Sequence, residues 1–444
     1  MADGDNVLGV LKELISIDSR NPFELKRKGG KYLIGGREKK INSYLEKKLK
    51  ESGFRVFRQP AHVDKYGTQH YNLLAEKGEG DRSVLFYGHT DTVSDLPWLR
   101  RKDALTPAEG RVDFQGKERE VIFGLGANDM KAGLAVMCLA FKDIEPDGFK
   151  IKVAFGSDEE FYSAGANVLA ESSFLDDVAA VMVPEIGDGP NRFYGHETIG
   201  VGRLGRCEFE VGFYGTGGHG AISGDPSFVS AAVEAAKFTV EFEKLRKDHR
   251  DVFVFCSEKV PDSKAVGTAE GSFFISRTEC GNESLSIPAS GRIVIDCTYT
   301  PNFTVKKLKR KFQDFISELY KTGILTPVLI GDQCKTLELK LKRRPTPYSG
   351  AYLTPADHPF TVFVKDCVNR VGSFKNYNMG YSVADENVFK RIRPDIPVIV
   401  SGPVGWNSHR ANEWVEKESV KGLFKLYRTA ACDFGKYLET ARLK

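Results

Sequence analysis

Val84-Leu-Phe-Tyr87 runs directly into Gly88-His89-Thr90-Asp91, so an unbroken apolar run ends on side chains able to do chemistry. Such a run without polar alternation predicts a strand covered on both faces, the habit of parallel sheets packed between helices. The arrangement recurs. Lys152–Phe155 precedes Gly156-Ser-Asp158-Glu159-Glu160, and Ala179–Val183 precedes Pro184-Glu185-Ile-Gly187. Ile396–Val400 precedes Ser401-Gly402-Pro403-Val-Gly405-Trp-Asn-Ser-His409. Helices are predicted over 5–17, over about 37–52 with Ile41, Tyr44, Leu45 and Leu49 on one face, and over about 130–144 as a crossover. The expected fold class is α/β, a mostly parallel central sheet flanked by helices.

From about Gly200 the texture changes. A strand at Cys207–Phe213, a helix over about 226–246, strands near 271–277 and 291–299, a helix over 305–321 and a strand over 336–342 spell βαββαβ, a small α+β unit inserted into the larger one. The expected organisation is a catalytic domain in two parts, 1–199 and 346–444, around an inserted domain, 200–345. A helical segment at 358–371 belongs to the return. Glu24–Lys40, rich in Lys, Arg and Gly, is expected to be an exposed loop.

Length and charge narrow the class. The 444 residues fit two or three domains, and 41% hydrophobic residues suffice for a sizeable core. Lys+Arg of 64 against Asp+Glu of 60 leaves a net charge of only +4, which offers no footprint for nucleic acid or an acidic membrane. No apolar stretch approaches the roughly 20 residues of a bilayer span, and the acidic start is unlike a signal peptide, so a cytoplasmic protein is expected. The eight scattered cysteines, with no Cys-x-x-Cys, are read as buried free thiols.

The chemistry-bearing residues fall at the carboxyl ends of the predicted strands, where open parallel sheets bind ligands. Each motif alone has a bland reading. His89-Thr-Asp91 could be a surface turn, Asp129 in Gly124-Leu-Gly126-Ala-Asn-Asp129 an ordinary N-cap, and Asp158-Glu159-Glu160 a solvated acidic loop. Gly124-x-Gly126 also raises a phosphate-binding loop, but Asp129 takes the place of its third glycine and would repel a pyrophosphate. Together His89, Asp129, Glu160, Glu185 and His409 make an imidazole and carboxylate set suited to zinc or a similar divalent ion. Five ligands exceed what one catalytic ion takes from a protein, so two ions sharing a carboxylate are expected, with zinc ahead of cobalt or manganese. Asp91 is read as holding the second ring nitrogen of His89.

Taken together, Leu14-Ile-Ser-Ile-Asp-Ser19-Arg-Asn-Pro22, Phe86 through Val93, Gly126 through Gly133, Asp158-Glu159-Glu160 and Gly402 through His409 and Glu413 resemble the zinc-dependent superfamily of aminoacylase, acetylornithine deacetylase, succinyl-diaminopimelate desuccinylase, glutamate carboxypeptidase and carnosinase-type dipeptidases. The resemblance implies that Asp129 bridges both metals, with Glu160 and His409 completing one site and His89 and Glu185 the other. It implies Glu159 as the base that takes a proton from the attacking water and returns it to the leaving amine. It also implies a cis peptide at Asp129–Met130, a lid or dimerisation role for the inserted domain, and a homodimer in which His219 reaches the neighbouring active site. The usual lid arginine is missing from Asp296-Cys-Thr298-Tyr299-Thr-Pro301, so Arg292 or Arg277 is expected to replace it, with Asn282, Gly402 and Gly405 as further substrate contacts. Glu185 at its position resembles deacylases rather than peptidases. The function so implied is hydrolysis of an N-acyl amino acid or related small amide, the alternatives being a metallo-carboxypeptidase or dipeptidase and an inactive binding protein on the same scaffold.

Overall fold

The computed structural model describes residues 2–94, 104–185, 195–248, 254–255, 269–281 and 285–442. The chain begins with α1 (Ala2–Ile15), a hairpin of β1 (Leu25–Lys28) and β2 (Lys31–Ile34), and α2 (Lys39–Glu51). Helical spacing puts Val7, Leu8, Leu11, Leu14 and Ile15 on the buried side of α1, and Ile41, Leu45 and Leu49 on that of α2. Glu24–Lys40 departs from the expected loop. Gly29 and Gly30 take φ of 56° and 79°, the backbone that a two-residue hairpin turn requires, and so the segment pairs with itself.

Next come β3 (Arg55–Val63), β4 (Gln69–Gly78) and β5 (Ser83–His89), then the hairpin of β6 (Ala108–Phe114) and β7 (Lys117–Phe123). They are followed by α3 (Ala132–Leu139), β8 (Lys150–Gly156), β9 (Val178–Val183), β10 (Thr198–Arg203) and β11 (Gly205–Tyr214). A nine-stranded sheet runs in the order Tyr352–Leu353, β10, Val398–Val400, β9, β5, β8, β4, β3, with Asn376–Gly380 also paired to β10. Its centre is parallel, Val398–Val400 on β9, β9 on β5 and β5 on β8. Antiparallel strands extend it, β4 on β8 and β3 on β4 at one side, β10 on Val398–Val400 at the other.

β5 shows why its sequence lacks alternation. Val84 and Phe86 pack into a core with α1, α2, α3 and the helices Pro359–Val371 and Lys417–Arg442, while Leu85 and Tyr87 pack into another with the helices Ala164–Glu171 and Asp385–Ile392. Both faces are apolar because both are covered.

A separate core runs from Cys207 to Leu339. Its four-stranded antiparallel sheet, ordered Ser272–Cys280, Ser290–Tyr299, β11, Glu338–Leu341, carries the helices Ala231–Asp248 and Val305–Lys321. The chain order is the βαββαβ expected. The passage into it, expected at about residue 200, falls at Leu204, between β10 in the large sheet and β11 in the small one. The crossover helix predicted over 130–144 is shorter, and Asp129 and Met130 have non-helical backbone before it, with a cis peptide between them. Among the described residues no cysteine is disulfide-bonded, but Cys334 and Cys432 are exposed and Cys280 is half-buried, against the expectation of buried thiols; Cys256 lies outside the described residues. No helix among the described residues is long and apolar enough to cross a membrane.

Candidate metal centre

Adjacent parallel strands deliver their carboxyl ends side by side, which is how residues hundreds of positions apart meet. His89 at the end of β5 is in register with Gly156 at the end of β8, and Glu159 and Glu160 follow that glycine. Val183 of β9 is in register with Val400, so Glu185 and the loop leading to His409 emerge together. Asp129 comes from the turn before α3.

Asp129 is divided between two groups. Its Oδ1 lies 3.1 Å from His89 Nε2, which is also 3.3 Å from Glu185 Oε2. Its Oδ2 lies 3.1 Å from His409 Nε2, which is 3.1 Å from Glu160 Oε2. His89, Asp129 and Glu185 can hold one ion and Asp129, Glu160 and His409 another. Ligand atoms at about 2.0–2.1 Å from a tetrahedral zinc stand about 3.3–3.4 Å apart, close to the separations here. Glu160 Oε1 is buried with no hydrogen-bond partner among the described residues, as expected of an oxygen that awaits a cation. The donor set therefore fits two divalent ions.

The electrostatics agree. Burial, then the charge of Asp129, pushes Glu160 up to about 7. Glu159 is raised well above the carboxylate range by burial, which the charge of His89 opposes and those of Asp385, Glu160 and Glu185 reinforce. Burial acts to raise Asp129 too, yet hydrogen bonds from His409 and His89 hold it well below its usual value. Crowded acids of this kind are relieved by positive charge.

Asp91 faces the second ring nitrogen of His89 and has a further part as well. His89 Nδ1 lies 3.0 Å from the backbone oxygen of Asp91, whereas its carboxylate is 3.5 Å away. That carboxylate also accepts from the backbone N–H groups of Glu159 at 3.1 Å and Glu160 at 3.2 Å, and so positions both. Asn21, missed as a site residue although it lies in a quoted motif, donates from Nδ2 to Asp91 at 2.9 Å and Asp158 at 3.0 Å. Asp158 and His409 hold left-handed backbone at φ of 65° and 61°, uncommon for residues with side chains and frequent at functional sites.

The other missed residue is Glu413. Its carboxylate accepts from the backbone N–H groups of Gly126 at 2.7 Å and of Asn128 and Asp129 at 2.9 Å each. It occupies the anion seat of the Gly124-x-Gly126 turn, which leaves no place there for a phosphate. Glu413→Ala would strand three buried donors, and we expect it to lower unfolding stability by about 3 kcal/mol, read from the denaturant midpoint. An unchanged midpoint would refute this role.

The remaining predicted residues are divided between the edge of this centre and the inserted domain. A Cβ on Gly402 would sit 2.1 Å from Glu185 O, and one on Gly405 2.2 Å from Asn128 Oδ1, so these glycines permit the close approach of the His409 loop. His219 is exposed on the inserted domain, its Nδ1 accepting from Ala221 N at 3.1 Å, and it belongs to neither ligand group. Arg292 is engaged by Glu279 and Glu210, and Arg277 by Glu279, within their own sheet. Asn282 and Gly187 lie outside the described residues.

Solved structures of known proteins share this fold. A tripeptidase from Staphylococcus aureus is 16% identical with a TM-score of 0.66, covering 98% of this chain and 99% of its own. An M20 family metallo-carboxypeptidase from Sulfolobus solfataricus is 16% identical with a TM-score of 0.65, covering 96% and 99%. A protein from Bacillus subtilis described as a dinuclear metal binding peptidase of the M20 family is 14% identical with a TM-score of 0.60, covering 98% of each chain. At such identities they speak for the fold. The sequence profile of peptidase family M20/M25/M40 matches residues 85–433, a span that holds His89, Asp129, Glu159, Glu160, Glu185, His409 and Glu413. The chain belongs to peptidase family M20/M25/M40, hydrolases of peptide and amide bonds.

Proposed function

We propose that this chain is a two-metal amidohydrolase that cleaves the acyl group from a small N-acyl amino acid. What carries the reading is the division of Asp129 between two imidazole and carboxylate groups, the arrangement that a pair of ions sharing one carboxylate demands. Asp129 would be the shared ligand, with His89 and Glu185 completing one site and Glu160 and His409 the other. Divalent cations held there, zinc first, supply positive charge that polarises the scissile carbonyl and makes nearby water more acidic.

Glu159 is the base. Asp91 anchors the backbone N–H groups of Glu159 and Glu160, and the raised proton affinity of Glu159 suits a group that accepts a proton from water and then delivers it to the leaving amine. The half-exposed side chain of His409, 52% accessible, marks a side open to solvent. His219, exposed on the inserted domain, is free to donate to the developing oxyanion of a second subunit in a homodimer.

Glu185 favours a deacylase. A second reading, hydrolysis of short peptides, is favoured by the family and by the tripeptidase and carboxypeptidase named above. The zinc- or cobalt-loaded protein should be assayed against N-acetyl and N-succinyl amino acids beside di- and tripeptides. Preference for the acylated amino acids is expected. Turnover of peptides alone would establish the second reading, and turnover of neither by metal-loaded protein would favour the inactive scaffold.

A further inference from the structure

A different group of ligand-type side chains lies at the other end of the sheet order. His62 on β3 and His70 on β4 are register partners across the antiparallel pair, Glu38 stands immediately before α2, and Asp64 follows β3. We propose that Glu38, His62 and His70, with Asp64 beside them, form a further divalent-cation site of zinc type that pins the segment after β2 to the sheet edge. The group shares no residue with the two built on Asp129.

Burial and unpaired atoms point to a ligand. Glu38 is 1% exposed, His70 8% and His62 9%, yet Glu38 Oε1, His62 Nε2 and His70 Nε2 are buried without a hydrogen-bond partner among the described residues. Orphaned polar atoms are rare in protein interiors, and Glu38 Oε1 and His62 Nε2, beside a His70 Nε2 faced only by Asp64 at 3.6 Å, call for a common partner.

The hydrogen bonds decide which lone pairs are available. His62 Nδ1 lies 3.2 Å from the carbonyl oxygen of Ile34, which can only accept, so the ring proton is on Nδ1 and Nε2 keeps its lone pair. His70 Nδ1 lies 3.0 Å from Glu38 Oε2, and its Nε2 lies 3.6 Å from Asp64 Oδ2. The His62 ring, held through one nitrogen by a carbonyl with the other nitrogen unpartnered, is oriented as metal-binding histidines are, and the His70 ring is held between the carboxylates of Glu38 and Asp64.

Donor atoms of Glu38, His62 and His70 lie within 4.8 Å of one another. The two rings are parallel, 5° apart in plane with centroids at 4.7 Å, so chelation turns one ring about its side-chain torsions. Gly36 lines the cradle, where a Cβ would lie 2.4 Å from Glu38 Oε2 and 2.7 Å from the His70 ring. Two imidazoles and a carboxylate select a zinc-class ion over calcium or magnesium.

The test is to strip the full-length protein with a chelator, return Zn²⁺ at a few equivalents per chain so that all three groups can fill, remove the unbound excess, and crystallise it for anomalous scattering at the zinc edge. A peak among Glu38, His62 and His70, absent in His70→Gln, is the expected result. Zinc content should be about three per chain in the wild type and about two in His70→Gln. Location decides, whatever the occupancy of the Asp129 groups: a zinc-loaded wild type with no peak at the cluster overturns the proposal. Should His70→Gln fail to fold, Asp129→Ala provides the second check, because zinc must still raise its melting temperature, and no rise overturns the proposal.

Discussion

Glu159→Gln is expected to lower kcat by about 10³–10⁴-fold, the scale of lost general acid and base catalysis when one group serves in both steps. The substitution keeps the backbone N–H that Asp91 accepts and nearly the same side-chain volume, so the loss is confined to proton transfer. Glu159 is not a member of either ligand group, and the metal content should stay at the wild-type value. KM should move little, because the carboxylate acts on the proton and not on the substrate's recognised parts. Steady-state kinetics beside metal analysis checks this. A kcat within tenfold of wild type at full metal loading would remove Glu159 from the mechanism.

Asp129→Ala should have an effect at least as large. Because one oxygen faces His89 and the other His409, a single substitution dismantles both groups, whereas loss of Glu185 or Glu160 touches one each. The expected result is loss of both ions of this centre and a fall in kcat/KM of roughly 10⁴-fold or more, corresponding to several kcal/mol of transition-state charge stabilisation. Chelation of the wild type should produce the same fall, reversed by Zn²⁺ or Co²⁺, while Asp129→Ala stays inactive after metal is returned. Far-UV circular dichroism verifies that the variant is folded. Retention of both ions by the folded variant would show that Asp129 is not shared.

Several features were legible in the sequence for identifiable reasons. β5 announced itself because both of its faces are covered, so apolar residues fill Val84–Tyr87, and the same holds for Val153–Phe155 of β8, for β9 and for Val398–Val400. The βαββαβ order of the inserted unit followed from helices with clean apolar faces, Leu308, Phe312, Ile316 and Leu319 in the longer of its later elements. β3 and β4 escaped notice. β3 lies at the edge and exposes much of its surface, so polar residues such as Arg55, Arg58 and Gln59 interrupt the pattern. Exposed Leu25–Lys28 was likewise indistinguishable from a loop, since a hairpin outside the core has no buried face to mark it.

The sequence by itself determined the parallel layers and which side chains stand at the strand ends, because burial on two faces and the chemistry of histidine and carboxylate are local properties of the chain. Tertiary structure alone decided the rest: that Asp91 spends its carboxylate on the amides of Glu159 and Glu160, that Glu413 fills the turn before α3, and that His62 and His70 meet Glu38 at the sheet edge. Each of these depends on which polar atoms lie within a few ångströms of one another, and the order of residues along a chain does not encode that distance until register and packing set it.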